Sequence, residues 1–200
     1  TIHPTSAGRM GRWYQEKTAG NNQIIYSFSV QGEHLLYQID DTVTIPLSYP
    51  KEYHQYLSST AVIQINDPVI IELYNKTVPQ TNKVTRVLKA IFNCVAELKP
   101  VPFKGLTDAV TAVKLGEASC NGKSRLFVAL ARRANLPARL VGGTVLQNVT
   151  KRTSHQWLEI YLNGHWVPFD ALNNHFAEIP ENYLQLYRGD ENLFTHTANI

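Results

Sequence analysis

Three residues in the chain carry the functional groups that thiol chemistry needs, and they occur in the order Cys120, His155, Asp170. A cysteine is a strong nucleophile only as its thiolate, so it needs an imidazole to take its proton and an acid to orient that imidazole. Cys120 follows GEAS (116–119) and stands at the start of a predicted helix. A helix N-terminus points free N–H groups and a partial positive charge at the sulfur, which lowers its pKa and supplies donors for an oxyanion. Gly122, just behind it, lets the backbone pack closely.

The elements that would carry His155 and Asp170 form a hairpin. Asn163-Gly164 lies between two β-rich runs, 156–162 and 165–170, and Asn-Gly is the strongest short-range hairpin signal. A two-residue turn there sets Leu162 against His165, Tyr161 against Trp166 and, further along, Trp157 against Asp170. Paired and alternate residues share a sheet face. His155, Trp157, Glu159 and Tyr161 therefore share one face with Trp166, Pro168 and Asp170. Leu158 and Ile160 take the other face with Val167 and Phe169, as a core stripe. His155 becomes a diagonal neighbour of Asp170, within reach of an imidazole–carboxylate contact. Each residue also has an ordinary reading. Cys120 could be a small buried hydrophobe, His155 a packing residue, and Asp170 the start of an Asx turn. The shared face and the chain order favour the chemical reading over three coincidences.

The rest of the chain reads as α+β. Runs at 23–30, 35–39, 42–47 and 61–65 are rich in β-branched and aromatic residues and predict short strands, with Pro46 restricting one of them to an edge. Asn66 or Asp67 caps a helix over 68–75 whose first turn holds Pro68. Thr81 is expected to cap a second helix, on which Val84, Val87, Leu88, Ile91, Val95 and Leu98 keep a helical period until Pro100 and Pro102. A short helix over 107–114 leads to Gly116, and the Cys120 helix runs to about 134, where Pro137 ends it. A strand over 138–146 then precedes the hairpin. Helices followed by an antiparallel sheet define the class. The division expected is a β-rich N-terminal subdomain at 1–60 and a core domain at 61–200.

Composition narrows the options. The chain has 200 residues, 44% of them hydrophobic, which suits one domain or a core with an appendage. A net charge of +3 comes from scattered Lys and Arg, whereas nucleic-acid binding needs clustered basic charge. Two cysteines, Cys94 and Cys120, make no disulfide framework; a single bridge between them is the minor alternative. The seven His residues include no HExxH and no Cys/His cluster with metal spacing, so neither metal nor cofactor is expected. No apolar run approaches the roughly 20 residues of a membrane-spanning helix. The chain opens on Thr1, Ile2, His3 with no Met and no signal-like segment, and reads as an excised or processed piece that is soluble as given.

Three stretches resemble the transglutaminase-like superfamily. SCNGKS (119–124) followed by LFVALARRANLPAR (126–139) resembles its nucleophile helix, HQWLEIY (155–161) its histidine strand, and WVPFD (166–170) its aspartate strand. INDP (65–68) is similar to the family's approach to the core, and the likeness spans about 61–190. It departs at Ala118, where the family often has Gly two residues before the nucleophile. The resemblance implies a papain-like fold in which Cys120 attacks a carboxamide, His155 moves protons and Asp170 orients His155, with Trp157, Ser119 and Asn121 bordering the substrate. HFAEIPENYLQLYRGD (175–190) is similar to a bacterial branch whose exported domain precedes seven membrane helices, which implies a periplasmic or otherwise extracytoplasmic location and attachment to a membrane segment.

The function expected is acyl transfer or hydrolysis on peptide or isopeptide carboxamides through a thioester. The alternative is a non-catalytic binding or sensing domain of a membrane protein with the same fold.

Overall fold

The computed structural model describes residues 29–102, 107–147 and 154–190, together with Tyr14 and the backbone of a short N-terminal hairpin. That hairpin pairs β1 (Ile2–Thr5) with β2 (Gly8–Gly11). Next come β3 (Leu35–Leu36) and a 3-10 helix over Lys51–Tyr56. Three helices follow, α1 (Pro68–Thr77), α2 (Val84–Ala96) and α3 (Ala109–Leu115), with β4 (Lys99–Pro100) lying between the last two. β5 (Glu117–Ala118) pairs in parallel with β4 and leads straight into α4 (Cys120–Arg133). The remaining chain is strand: β6 (Ala138–Val145), β7 (Ser154–Leu162), β8 (His165–Asp170), β9 (His175–Phe176), β10 (Glu178–Ile179) and β11 (Tyr183–Arg188). Five of these form one antiparallel sheet in the order β11-β6-β7-β8-β9.

Local chemistry sets the helix ends. Asp67 caps α1 by accepting the Val69 N–H at 2.9 Å, and Pro68 occupies the first turn. Thr81 also accepts a backbone N–H, that of Lys83, but α2 starts only at Val84 because Lys83 is drawn into a bridge with Thr44. Asp108 caps α3, taking both the Thr111 N–H and its hydroxyl. Gly116, at φ 65°, ends it in the left-handed region that glycine enters without penalty.

α4 is the central helix. Twelve of its residues, Asn121 through Arg132, are buried, so it is enclosed on every side rather than amphipathic. Phe127 meets Phe169 of β8 and Phe92 of α2, with ring centroids 5.6 and 6.2 Å apart. Leu158, Ile160, Val167 and Phe169 belong to the same apolar core, from which Trp157 and Val141 on the other sheet face are separate. The hairpin register is the one expected: Leu162 opposes His165, Tyr161 opposes Trp166 and Leu158 opposes Phe169.

The N-terminal strands do not form as expected. Residues 42–47 make only the single Thr44–Lys83 bridge. Asp40 folds back on Thr42, accepting its N–H at 2.7 Å and its hydroxyl at 2.6 Å, and Pro46 has no N–H to offer a ladder. Residues 61–65 are a turn knotted by Thr60 and Ser59, whose backbone and hydroxyl groups bond Ile63. Their apolar pattern reflects one buried anchor, Ile63. The run at 35–39 shrinks to β3, which pairs with β10. Residues 23–28 of the first predicted strand lie outside the described residues. Among the described residues no helix is long and apolar enough to cross a membrane.

Candidate active site

The site forms where the start of α4 meets the ends of β7 and β8. Cys120 is the first residue of α4, and the first-turn N–H groups of a helix have no intrahelical acceptor. Ser119, at the cap, leaves them uncovered: its hydroxyl donates to Asn121 Oδ1 at 2.6 Å instead. Gly122 is needed there, since a Cβ would come within 2.8 Å of the Ala118 Cβ and 3.2 Å of Thr107.

Two residues one helical turn apart dock α4 on β7. Ser124 donates its hydroxyl to the Gln156 carbonyl at 3.1 Å, and the Gln156 N–H donates to the Cys120 sulfur. The helix is therefore held to both sides of one residue, and that residue follows His155. This docking brings the thiol into a side-chain hydrogen bond with His155. Asp170 lies on the far side of the ring, its Oδ2 2.6 Å from His155 Nε2. With Nε2 engaged by the carboxylate, Nδ1 is the ring nitrogen left to face the sulfur. All three residues expected to cooperate are thus brought together.

Asp170 is 1% exposed and richly supplied with donors. Its Oδ1 accepts the Leu172 and Asn173 N–H groups at 3.0 and 3.3 Å. Its Oδ2 accepts, besides His155, the Tyr183 hydroxyl at 2.8 Å and Asn173 Nδ2 at 2.9 Å. Gly142 and Gly143 allow β11, which carries Tyr183, to lie this near: a Cβ on either would strike the Tyr187 ring or the Leu184 carbonyl.

The electrostatics follow from these contacts. Burial pushes the Cys120 thiol up, but the hydrogen bond and charge of His155 and the Gln156 N–H outweigh it, and the pKa falls below the ordinary thiol value. Burial disfavours the imidazolium, yet Asp170 and Cys120 raise His155 to about 9. Burial likewise works against the Asp170 carboxylate, which His155, Tyr183 and Asn173 nonetheless hold below the usual range. All three shifts lean the same way, towards a thiolate beside an imidazolium with a carboxylate behind it.

The residues expected to border substrate lie deeper. Trp157 is 3% exposed, and Ser119 and Asn121 are each 6% exposed. Ser119 and Asn121 bond each other, while Trp157 stacks beside the His155 ring at 6.0 Å. The groups that sequence reasoning missed are Asn173, Tyr183 and the Ser124–Gln156 clasp. Only the clasp had a local signal, the spacing of Cys120 and Ser124 by one helical turn. Both cysteines are free, and among the described residues no group of His, Cys, Asp and Glu is arranged to hold a metal ion.

Comparison with known proteins adds a family and a fold. A family model described as the transglutaminase-like superfamily matches residues 70–171, just over half of the chain and the stretch that holds Cys120, His155 and Asp170. No curated protein matches. Among solved structures, a proposed cysteine protease from Cytophaga hutchinsonii superposes with a TM-score of 0.59 at 19% identity, covering 73% of this chain and 50% of its own. The periplasmic domain of TgpA from Pseudomonas aeruginosa, solved with ethylmercury bound, gives a TM-score of 0.47 at 15% identity, with 62% of this chain and 49% of its own covered. The chain thus spans about half the length of each of these structures. The likeness to the first is one of fold.

Proposed function

The chain belongs to the transglutaminase-like superfamily, and from that premise we propose that it is a cysteine-dependent enzyme acting on peptide or isopeptide carboxamides. Cys120 is the nucleophile, His155 the proton carrier and Asp170 the group that orients and balances His155. The observation that carries this reading is the meeting of a helix-start thiol with an imidazole that a buried carboxylate holds at 2.6 Å, an arrangement that lowers the thiol's pKa although burial opposes it.

The Cys120 thiolate attacks the carboxamide carbon, and the electron pair of the C=O bond moves to oxygen. The N–H groups at the start of α4, which no side chain caps, supply donors for that oxyanion. The tetrahedral adduct collapses, the C–N bond breaks, and the His155 imidazolium protonates the leaving amine. A thioester remains on Cys120. Neutral His155 then removes a proton from an incoming amine or water, which displaces the thiolate and gives a new amide or an acid. The substrates are proteins or peptides, and the setting is extracytoplasmic, in keeping with the resemblance of 175–190 to an exported domain.

The test is turnover of peptide amides with and without added primary amine, beside alkylation by iodoacetamide near neutral pH. Ammonia release that disappears in Cys120→Ala, and alkylation of Cys120 much faster than of Cys94, are expected. Equal alkylation of the two thiols with no turnover would favour the binding or sensing domain instead.

A further inference from the structure

We propose that Tyr183, together with Asn173, is a positioning residue for this site: the two side chains hold Asp170 ionised and aimed at His155, which makes β11 part of the reactive machinery. The inference rests on the reading that Cys120, His155 and Asp170 act as a unit.

The geometry is a closed ring of donors. Asn173 Nδ2 lies 2.7 Å from the Tyr183 hydroxyl, 2.9 Å from Asp170 Oδ2 and 3.3 Å from His155 Nε2; its two hydrogens serve the two nearer acceptors, since Nε2 is engaged by the carboxylate. The Tyr183 hydroxyl, having accepted from Asn173, spends its own proton on Asp170 Oδ2 at 2.8 Å. Both donors therefore converge on the oxygen that binds His155. An oxygen with three donors around it has no freedom to turn away from the ring.

Nothing in the packing of Tyr183 requires the hydroxyl. Its ring makes edge contacts with His155, Trp157 and His175, with centroids 5.6, 5.4 and 5.5 Å away, and phenylalanine would keep all three. Tyr183 is partly exposed, so its hydroxyl could have been left to water. It serves the buried carboxylate instead. Its location is fixed independently by β11: Tyr183 pairs with Val145, and Asn182 before it binds Leu146 through both backbone and side chain.

The titratable groups around Asp170 are Cys120 and Lys123 from α4, His155 from β7, His175 from β9 and Tyr183 from β11. A buried carboxylate is stabilised as the anion by each donor it accepts. Removing a donor raises the pH at which Asp170 takes up a proton, and with it the pH at which the imidazolium loses its counter-charge. Loss of Tyr183 or Asn173 must therefore move the acid-side fall of thiolate reactivity to higher pH.

The experiment measures the pH profile of iodoacetamide reaction at Cys120 in wild type, Tyr183→Phe, Asn173→Ala, Asp170→Asn and Leu186→Ala, the last an exposed position on the same strand. Tyr183→Phe and Asn173→Ala are each expected to slow alkylation at neutral pH by about three- to tenfold and to shift the acid limb upward by about one unit. Leu186→Ala should do neither. A purely structural role would lower the melting temperature and leave the limb where it was, and that result overturns the proposal. Should Tyr183→Phe fail to fold, the exposed Asn173→Ala decides alone. If Asp170→Asn slows Cys120 while Tyr183→Phe and Asn173→Ala match wild type, this inference fails and the triad stands. If Asp170→Asn also matches wild type, the triad reading fails and this one with it.

Discussion

Cys94 on α2 and Cys120 on α4 are both partly buried free thiols, yet their acidities move in opposite directions. Burial raises Cys94, the Thr77 hydroxyl donating at 3.7 Å and the charge of Lys76 offset only part of that, and nearby Glu97 adds to the rise. Cys94 also lies in the last turn of its helix, where the carbonyl end of the dipole disfavours an anion. Burial is likewise the largest influence at Cys120, but there a hydrogen-bonded imidazole and a strand N–H reverse it at the amide end of a helix. Residue type and burial are nearly matched between the two. What differs is which helix end the sulfur occupies and whether a base has been brought to it by another element.

The comparison can be broken most severely at the sulfurs themselves. Cys120→Ala should lower amide turnover by at least about 10³-fold, whereas Cys94→Ala should leave it near wild type; equal losses in a turnover assay would sink the contrast. His155→Ala should come next. Without the imidazole, Cys120 becomes an ordinary buried thiol that is only a few per cent ionised at pH 7, so its alkylation should slow by about 30-fold and approach that of Cys94. Asp170→Asn keeps the shape and removes the counter-charge. About tenfold slower alkylation with a retained melting transition is expected, because the imidazolium is weakened but not deleted.

Stability should show the same coupling. Folding raises His155 from its ordinary 6.5 to about 9. The imidazolium therefore stabilises the fold fully below about pH 6.5, and that contribution is lost as pH rises through 9. Melting temperatures across this window should fall for wild type and stay flatter for His155→Ala; parallel curves would contradict the coupling. The smallest effect is at Thr77→Val, which should slow alkylation of Cys94 by about twofold and leave Cys120 unchanged, since a neutral donor to sulfur is weak.

Much of the site was legible because its spacing is local. The Asn163-Gly164 turn sets the register of β7 on β8, and with a period of two that register decides which face each side chain takes. His155 and Asp170 could be paired on that basis, with Leu158, Ile160, Val167 and Phe169 assigned to the opposite face. α4 was equally legible, from Cys120 at its start to Pro137 beyond its end. The N-terminal stretch was not. Residues 42–47 and 61–65 have strand-like composition but no partner strand, and a strand exists only where another backbone answers its N–H and C=O groups.

The sequence by itself determined the hairpin, the nucleophile helix and the identity of the three residues that meet, because turn chemistry, caps and periodicity act over a few residues. Only the tertiary structure decided how they meet. It placed α4 on Gln156 so that the thiol reaches the ring, brought β11 beside β6 rather than into a loop, and gathered Asn173 and Tyr183 around Asp170. Those contacts join residues far apart in the chain, and their partners are chosen by packing: the glycines at 142 and 143 leave room for a neighbouring strand, but nothing in their own sequence says which strand will come.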